Sequence, residues 1–566
     1  MRRLTGILWI ICMIQVVWGQ VAPGKYFVEF TDKDNSPYSV DRPWEFLSTR
    51  ALERRDVASI AITVDDLPVN PDYVQAVAAF GVEVLTRSKW MNGITIFTVD
   101  PSVINLIEQL PFVKKVVSNG PGSGSGISTD DKFSREASLG NSGQSGGTAS
   151  TVLSDSSAYG LSFTQVHMVH TDLMHDLGFR GAGKVIAVLD AGFQNADIHP
   201  ALDSLWLNNR ILGVKDFVTP GGNVFTGHPH GTEVLSVMGG YMPGQLIGTA
   251  PDASFWLLRS EDGDSEYLVE EYNWISAAEF ADSAGADIIN SSLGYTVFDD
   301  STQNHTCADM TGSTTPVTRG ANMAFSKGIL VVNSAGNEGG NPNWPCVSAP
   351  ADGTGVLAVA AVDSLRQRAS FSSTGKVEGS YVKPNIAAMG KFTVLALPDG
   401  SISRRSGTSF SSPVIAGSAA CLWQAFPQYS NATLKTAIEE SGSQAGSPDI
   451  FLGYGIPDFY TAYERLLPVS AVHSPVMITV SPNPFTGEQP LRVDLSLAAA
   501  QQLLVSFSDI TGRRVSEAHT FYCTAGRNTF WLNDLSGLRP GLYLLKIGSI
   551  SGIPVSESLK VLKIGE

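Results

Sequence analysis

The chain has 566 residues, 43% of them hydrophobic and 16% charged, which is material for several globular domains and a large core. Its formal net charge of −16 excludes nucleic acid as a partner, because a phosphate backbone calls for a basic stripe that this composition lacks. The 56 glycines point to many tight turns and close backbone approaches.

At the N-terminus, Arg2 and Arg3 precede the apolar run LTGILWIICMIQVVW, which is short for a membrane span and has no positive flank after it. Val17-Trp18-Gly19 ends in a small residue, so residues 1–19 read as an export signal cleaved before Gln20, with an uncleaved anchor as the alternative. The expectation is a secreted or cell-surface protein. In an oxidising compartment Cys307 and Cys346, both in polar segments, are the candidates for a disulfide. Closing that loop would contribute about 4 kcal/mol in the chain-entropy view. Cys421 lies on an apolar run and reads as a buried thiol.

Residues 20–118 read as a small α+β unit. KYFVEF alternates like a strand, PDYVQAVAAFGVEVL runs from helical spacing into a strand, and GITIFTV, PSVINLIEQL and FVKKVV follow as strand, helix and strand. Two helices on one sheet is the predicted packing. Residues 119–159 are rich in Gly and Ser and poor in apolar side chains, and read as a flexible, protease-accessible linker. Over 160–467, near-continuous apolar runs (KVIAVLD, SFWLLRS, ADIINSSL, GILVVNSAG, VLAVAAV) alternate with helical stretches such as EYLVEEYNWISAAEFADSAG. Parallel strands covered on both faces have that pattern, so the predicted fold is a doubly wound α/β layout. Residues 475–566 change to short strands with turns between, a β-sandwich of roughly seven strands.

Function collects at strand ends in a parallel sheet. Asp190 stands just past one apolar strand, His230 heads a helical stretch in HPHGTEVLSVMGG, and Ser409 heads another in RSGTSFSSPVIAG. A nucleophile, a base that takes its proton and a carboxylate that fixes the base's tautomer need those residue types. Each alone reads equally as a cap or a turn residue; together, in the order Asp, His, Ser, they read as a catalytic set. His228 competes with His230 as the base, and the Gly-Thr after His230 favours the latter. The two histidines could also suggest a metal pair, but no third ligand motif is near. Ser409 at a helix start keeps its own N–H out of the helical ladder. Pro413 is expected to be tolerated because N–H groups in the first helical turn have no acceptor to lose.

These blocks resemble the subtilisin-like serine peptidases: Asp190-Ala-Gly192, His230-Gly-Thr232, Ser334-Ala-Gly-Asn337, and Gly407-Thr-Ser409 followed by Pro413. The resemblance implies a serine endopeptidase with Asp190, His230 and Ser409 as its triad and Asn337 as side-chain donor to the oxyanion. It also implies that Ser292, Leu293 and Gly294 pair with an extended protein or peptide substrate, faced by Ser334, Ala335 and Gly336. No cofactor is implied for catalysis; structural calcium is common in such enzymes, but no ligands for it can be located here. Two departures stand out. Ala191 replaces the usual hydroxyl residue after the catalytic Asp, and Tyr295 replaces a common Gly, which would narrow the non-prime subsites.

Residues 20–118 resemble the inhibitory propeptide of such enzymes, through EFLSTRALERR and SKWMNGITIFTV. That implies a zymogen inhibited by its own prosegment and freed by cleavage in the linker. VSPNPF, SDITGRRV, LRPGLYLLKI and SLKVLKI resemble the C-terminal sorting domain of type IX secretion cargo, which implies an outer-membrane secretion machinery as partner. A carbohydrate-binding β-module competes with that reading. For the whole chain, a catalytically silent binding protein on a peptidase scaffold is the alternative, supported by Ala191 alone.

Overall fold

Seven strands form one sheet at the centre of the computed structural model, which describes residues 24–119, 133, 156–378, 381–467, 478–486, 489–497, 500–510, 513–533, 535–549 and 556–565. The expected export signal (1–19) and most of the Gly/Ser-rich stretch (119–159) lie outside those residues. The N-terminal unit has strands β1 (Lys25–Phe30), β2 (Glu83–Ser88), β3 (Gly93–Phe97) and β4 (Val113–Ser118). The central strands are β5 (Val185–Asp190), β6 (Ile211–Asp216), β7 (Ser254–Arg259), β8 (Ile288–Ser291), β9 (Leu330–Ser334), β10 (Val356–Val362) and β11 (Ile386–Met389).

Side by side the central strands run β11-β10-β9-β8-β5-β7-β6, every pair parallel. β5, β8, β9 and β10 are buried at every position, as strands covered on both faces must be. The chain order reverses direction around β5, so the C-terminal ends of β5 and β8 open on the crevice where doubly wound sheets place their sites. One face packs the helices α4 (His230–Gly239) and α6 (Thr408–Ala425), with Val234, Met238, Phe410 and Ile415 in the core. The other face packs α5 (Val269–Ala284), which ends at Gly285 in the left-handed conformation that glycine tolerates at a helix C-terminus.

The N-terminal unit is an antiparallel sheet in the order β2-β3-β1-β4. Helices α2 (Pro71–Ala78) and α3 (Ser102–Ile107) cover one face through Val74, Val77 and Ile107 against Val28, Ile94 and Ile96. The structure adds a third helix to the two expected: α1 (Thr49–Val57). It buries Ala51, Arg54 and Arg55 rather than an apolar stripe. Those arginines meet α5. Asp282 is bonded by Arg54 at 2.5 Å, Arg55 at 2.9 Å and Lys89 at 2.7 Å. Asp66 joins Arg55 at 2.7 Å and Lys327 at 3.1 Å. Burial alone would raise the Asp282 carboxyl, but Lys89, Arg54 and Arg55 together hold it well below the ordinary carboxylate range. Glu279 on the same helix accepts from Ser88 Oγ (2.6 Å), Lys89 N (2.7 Å) and Trp90 N (3.0 Å). Beside it Phe27 stacks on Tyr272 at 4.0 Å. The unit therefore grips α5 by buried charge as well as by apolar packing.

The C-terminal residues form two antiparallel sheets. Thr479–Ser481, Leu491–Leu497 and Gly526–Leu532 pair in one; His519–Cys523, Gln501–Asp509, Gly541–Ser549 and Ser556–Lys563 pair in the other. Leu491, Val493, Leu503, Val505, Leu545 and Val561 fill the core between them. Among the described residues no helix is long and apolar enough to cross a membrane.

Candidate active site

β5 delivers Asp190 to the C-terminal edge of the sheet, fully buried. Its Oδ1 lies 2.8 Å from His230 Nδ1 and accepts the Ala191 N–H at 2.8 Å. Ala191 therefore supports Asp190 through its backbone N–H and adds no side-chain donor. The other oxygen, Oδ2, is buried with no hydrogen-bond partner among the described residues. His230 opens α4, and the next residue must be small: a Cβ at Gly231 would collide with the Gly192 carbonyl and lie 3.0 Å from Asp190 Cβ. Glycine here lets the helix close against the strand that carries the carboxylate. With Nδ1 directed at Asp190, the tautomer that suits the contact carries its proton there and leaves Nε2 as an acceptor.

Ser409 is the second residue of α6 and is nearly buried. Its Oγ donates to Ser292 O at 3.2 Å, and Ser292 Oγ donates back to Ser409 O at 2.7 Å. The second bond corrects the expectation for Pro413. Pro413 lies beyond the first turn of α6, where a residue with an N–H would bond the carbonyl four residues earlier, that of Ser409. The ring leaves that carbonyl without its helical donor, and the Ser292 hydroxyl supplies one. The proline therefore ties the loop after β8 to the head of α6. Of the neighbouring serines, Ser411 bonds Thr408 O at 2.9 Å and Ser412 bonds Asn290 Oδ1 at 2.9 Å, so both pin the helix entry.

The loop after β9 is held from the other side. Thr408 donates to Asn337 Oδ1 through its N–H (2.9 Å) and its hydroxyl (3.0 Å), and accepts Gly336 N–H at 3.2 Å. With the Asn337 oxygen committed to Thr408, the donor end of the same amide is presented on its opposite side. Ser334 and Ala335 are buried, whereas Gly336 is half-exposed and Gly294, across the cleft, is exposed. Ser292, Leu293 and Gly294 and the 334–336 stretch thus both converge on the first turn of α6.

Tyr295 is fully buried and donates to Glu261 Oε2 at 2.6 Å, while its N–H bonds Ala349 O at 2.8 Å; burial pushes its phenol well up. Its bulk is therefore directed into the protein. Glu261, Glu266 and Glu270 bring carboxylate oxygens within 4.8 Å of one another, the one such set among the described residues. Glu270 already accepts the N–H groups of Asp262 and Tyr267, and Glu261 accepts Tyr295. Phe133, from the stretch between β4 and β5, stacks on His230 at 4.2 Å and on His228 at 4.7 Å. Cys307 and Cys346 are bonded in a disulfide with Cα atoms 5.9 Å apart. The Ala191 backbone donor, the bonds of Thr408 to Asn337 and the ring of Phe133 were not found by sequence reasoning. A proline deep in a helix, with its demand for a substitute donor, was the signal that could have found Ser292's bond.

A model of the subtilase family matches residues 181–455, and one of the peptidase S8 propeptide domain of Bacteroidota matches residues 25–130. Subtilisin E of Bacillus subtilis (strain 168) is 30% identical over 294 residues, which is 51% of this chain and 68% of that protein. Subtilisin of Bacillus pumilus is also 30% identical over 294 residues, 51% of this chain and 94% of that one. The thermostable alkaline protease of Halalkalibacterium halodurans is 30% identical over 307 residues, 54% of this chain and 73% of that protein.

Proposed function

The chain belongs to the subtilase family of serine endopeptidases and carries its family's propeptide, and from that premise we propose that Asp190, His230 and Ser409 perform its chemistry in an exported zymogen. The observation that carries the reading is the 2.8 Å contact of His230 Nδ1 with buried Asp190, made at the sheet edge where Ser409 begins α6. Ser409 Oγ attacks the peptide carbonyl as His230 Nε2 takes its proton. Asp190 holds the tautomer and stabilises the imidazolium that forms. The negative charge on the carbonyl oxygen is met by Asn337 Nδ2 and the Ser409 N–H, aided by the positive end of α6. His230 returns the proton to the leaving amine. An ester on Ser409 remains, and water activated by the same imidazole hydrolyses it.

The substrate is a peptide in extended form between the 292–294 and 334–336 stretches, held mainly by its backbone. The prosegment inhibits the site, and cleavage between β4 and β5 releases it. Export through residues 1–19 and sorting through the C-terminal sheets complete the reading; the Gram-negative type IX route is supported by the C-terminal blocks VSPNPF and LRPGLYLLKI. The test is the full chain carrying Ser409→Ala. It should remain in one piece and hydrolyse no unfolded protein substrate. Continued self-cleavage by this variant would overturn the assignment.

A further inference from the structure

His228 takes no part in the reaction proposed above, yet it is built into the cleft with some care. Its Nδ1 accepts the His230 N–H at 3.2 Å, which orients its ring beside the base. The two imidazole centroids are 6.4 Å apart and the planes differ by 44°. Gly263, on the loop after β7, lies against the other side: a Cβ there would fall 2.8 Å from His228 Cδ2 and 3.0 Å from Cγ. Only glycine lets that backbone come so close to the ring. The two imidazoles form a shallow angled cradle, and this backbone supports the His228 ring from behind. A flat ring lies in that cradle: Phe133 makes interplanar angles of 26° with His230 and 30° with His228, in the offset-stacked range of aromatic pairs. Phe133 also packs against the apolar cluster that contains Leu293, the residue at the centre of one cleft wall.

We propose that His228 is a specificity-determining residue: with His230 it forms a subsite for an aromatic side chain of the substrate, and Phe133 fills that subsite in the precursor. The inference rests on the catalytic reading above, since the subsite is defined by the base it adjoins. A peptide side chain on the His230 face lies next to the scissile bond. Two imidazole faces offer a planar group stacking that an aliphatic side chain of equal area does not obtain. In the precursor the same contact covers the base with the chain's own residue, so inhibition and substrate choice use one surface.

The test uses the mature enzyme made by self-processing of the full chain, with fluorogenic peptides varied one position at a time around the cleaved bond. At one position Phe or Tyr should exceed Leu about fivefold in kcat/KM, expressed mainly in KM. His228→Ala should bring that ratio close to one, and Gly263→Ala, whose Cβ meets the His228 ring, should lower it too. On the unaltered enzyme, the peptide of residues 128–138 should compete with substrate at least fivefold better than its Phe133→Ala form. That arm needs no enzyme variant to fold. Equal competition by the two peptides, or hydrolysis with no aromatic preference at any position, overturns the subsite. Absence of all peptide hydrolysis overturns the catalytic reading instead, so the two failures are distinguishable.

Discussion

Asp282→Asn isolates the grip of the prosegment on the peptidase. In the precursor the Asp282 carboxylate is fully buried and meets Arg54, Arg55 and Lys89 at 2.5, 2.9 and 2.7 Å. The amide keeps the shape and removes the charge, and its NH2 must then face a cation. Removing one partner from a buried ionic cluster costs about 3–5 kcal/mol. Arg55 keeps Asp66, and Arg54 keeps bonds to Ala286 O and Lys327 O, so the lower end applies. At about 1.4 kcal/mol per decade, roughly 3 kcal/mol is a hundredfold weaker complex of cleaved prosegment and enzyme. Once the prosegment leaves, residue 282 faces water, so the mature enzyme should be little changed. The assay is recovery of activity on serial dilution of the self-processed chain. Asp282→Asn should release activity at about a hundredfold higher concentration than the unaltered protein. Arg50→Ala provides a control: its side chain is 37% exposed where it pairs with Asp287, and such rim pairs contribute at most about 1 kcal/mol. A shift within threefold for Asp282→Asn would refute the reasoning.

Ala191→Ser offers a donor to the unpartnered Asp190 Oδ2; stability in urea should rise by about 1 kcal/mol and kcat/KM should increase severalfold, and a fall in both would contradict this account of Ala191. Lys383 is buried with its amine held by Gly353 O (2.6 Å), Val356 O (2.7 Å) and Asn385 Oδ1 (3.0 Å). Burial lowers this amine well below the ordinary lysine range. Lys383→Met leaves those acceptors buried without their donor, so it should lose about 3 kcal/mol by urea titration, and a loss under about 1 kcal/mol would contradict this. His175, between Tyr159 OH and Thr249 O, is lowered by burial from 6.5 to about 4. The unfolded chain binds the extra proton between those values, so stability is complete above pH 6.5 and falls towards pH 4 by roughly 3 kcal/mol, a slope that His175→Gln should flatten in urea midpoints of the Ser409→Ala chain.

The strands that read clearly in the sequence are those buried on both faces. VIAVLD, IINS, LVVNS and VLAVAAV have no polar alternation to confuse with a half-buried strand or an amphipathic helix. The two sheet edges were not picked out. β6 exposes Leu212 and Val214 at the margin, and β11, Ile-Ala-Ala-Met, has a single β-branched residue to mark it as a strand. Helix α1 escaped for a different reason: its buried side chains are Arg54 and Arg55, which count as surface residues until Asp282, more than 200 positions away, supplies their partner. In the site, residue types and order singled out Asp190, His230 and Ser409, and the resemblance to subtilisin-like peptidases added Asn337. The supports of those residues are long-range. Ser292 completes a carbonyl that Pro413 cannot serve, and Phe133 lies in a stretch whose composition reads as linker while its ring rests on His230.

The central claim is that Ser409 is a nucleophile activated by His230. A fluorophosphonate probe tests it most directly, because it bonds only an activated hydroxyl. With the self-processed chain, mass spectrometry of the digest should find one adduct, on Ser409, absent from Ser409→Ala and greatly slowed in His230→Ala. No adduct after removal of the prosegment, or an adduct on another serine, would contradict the account.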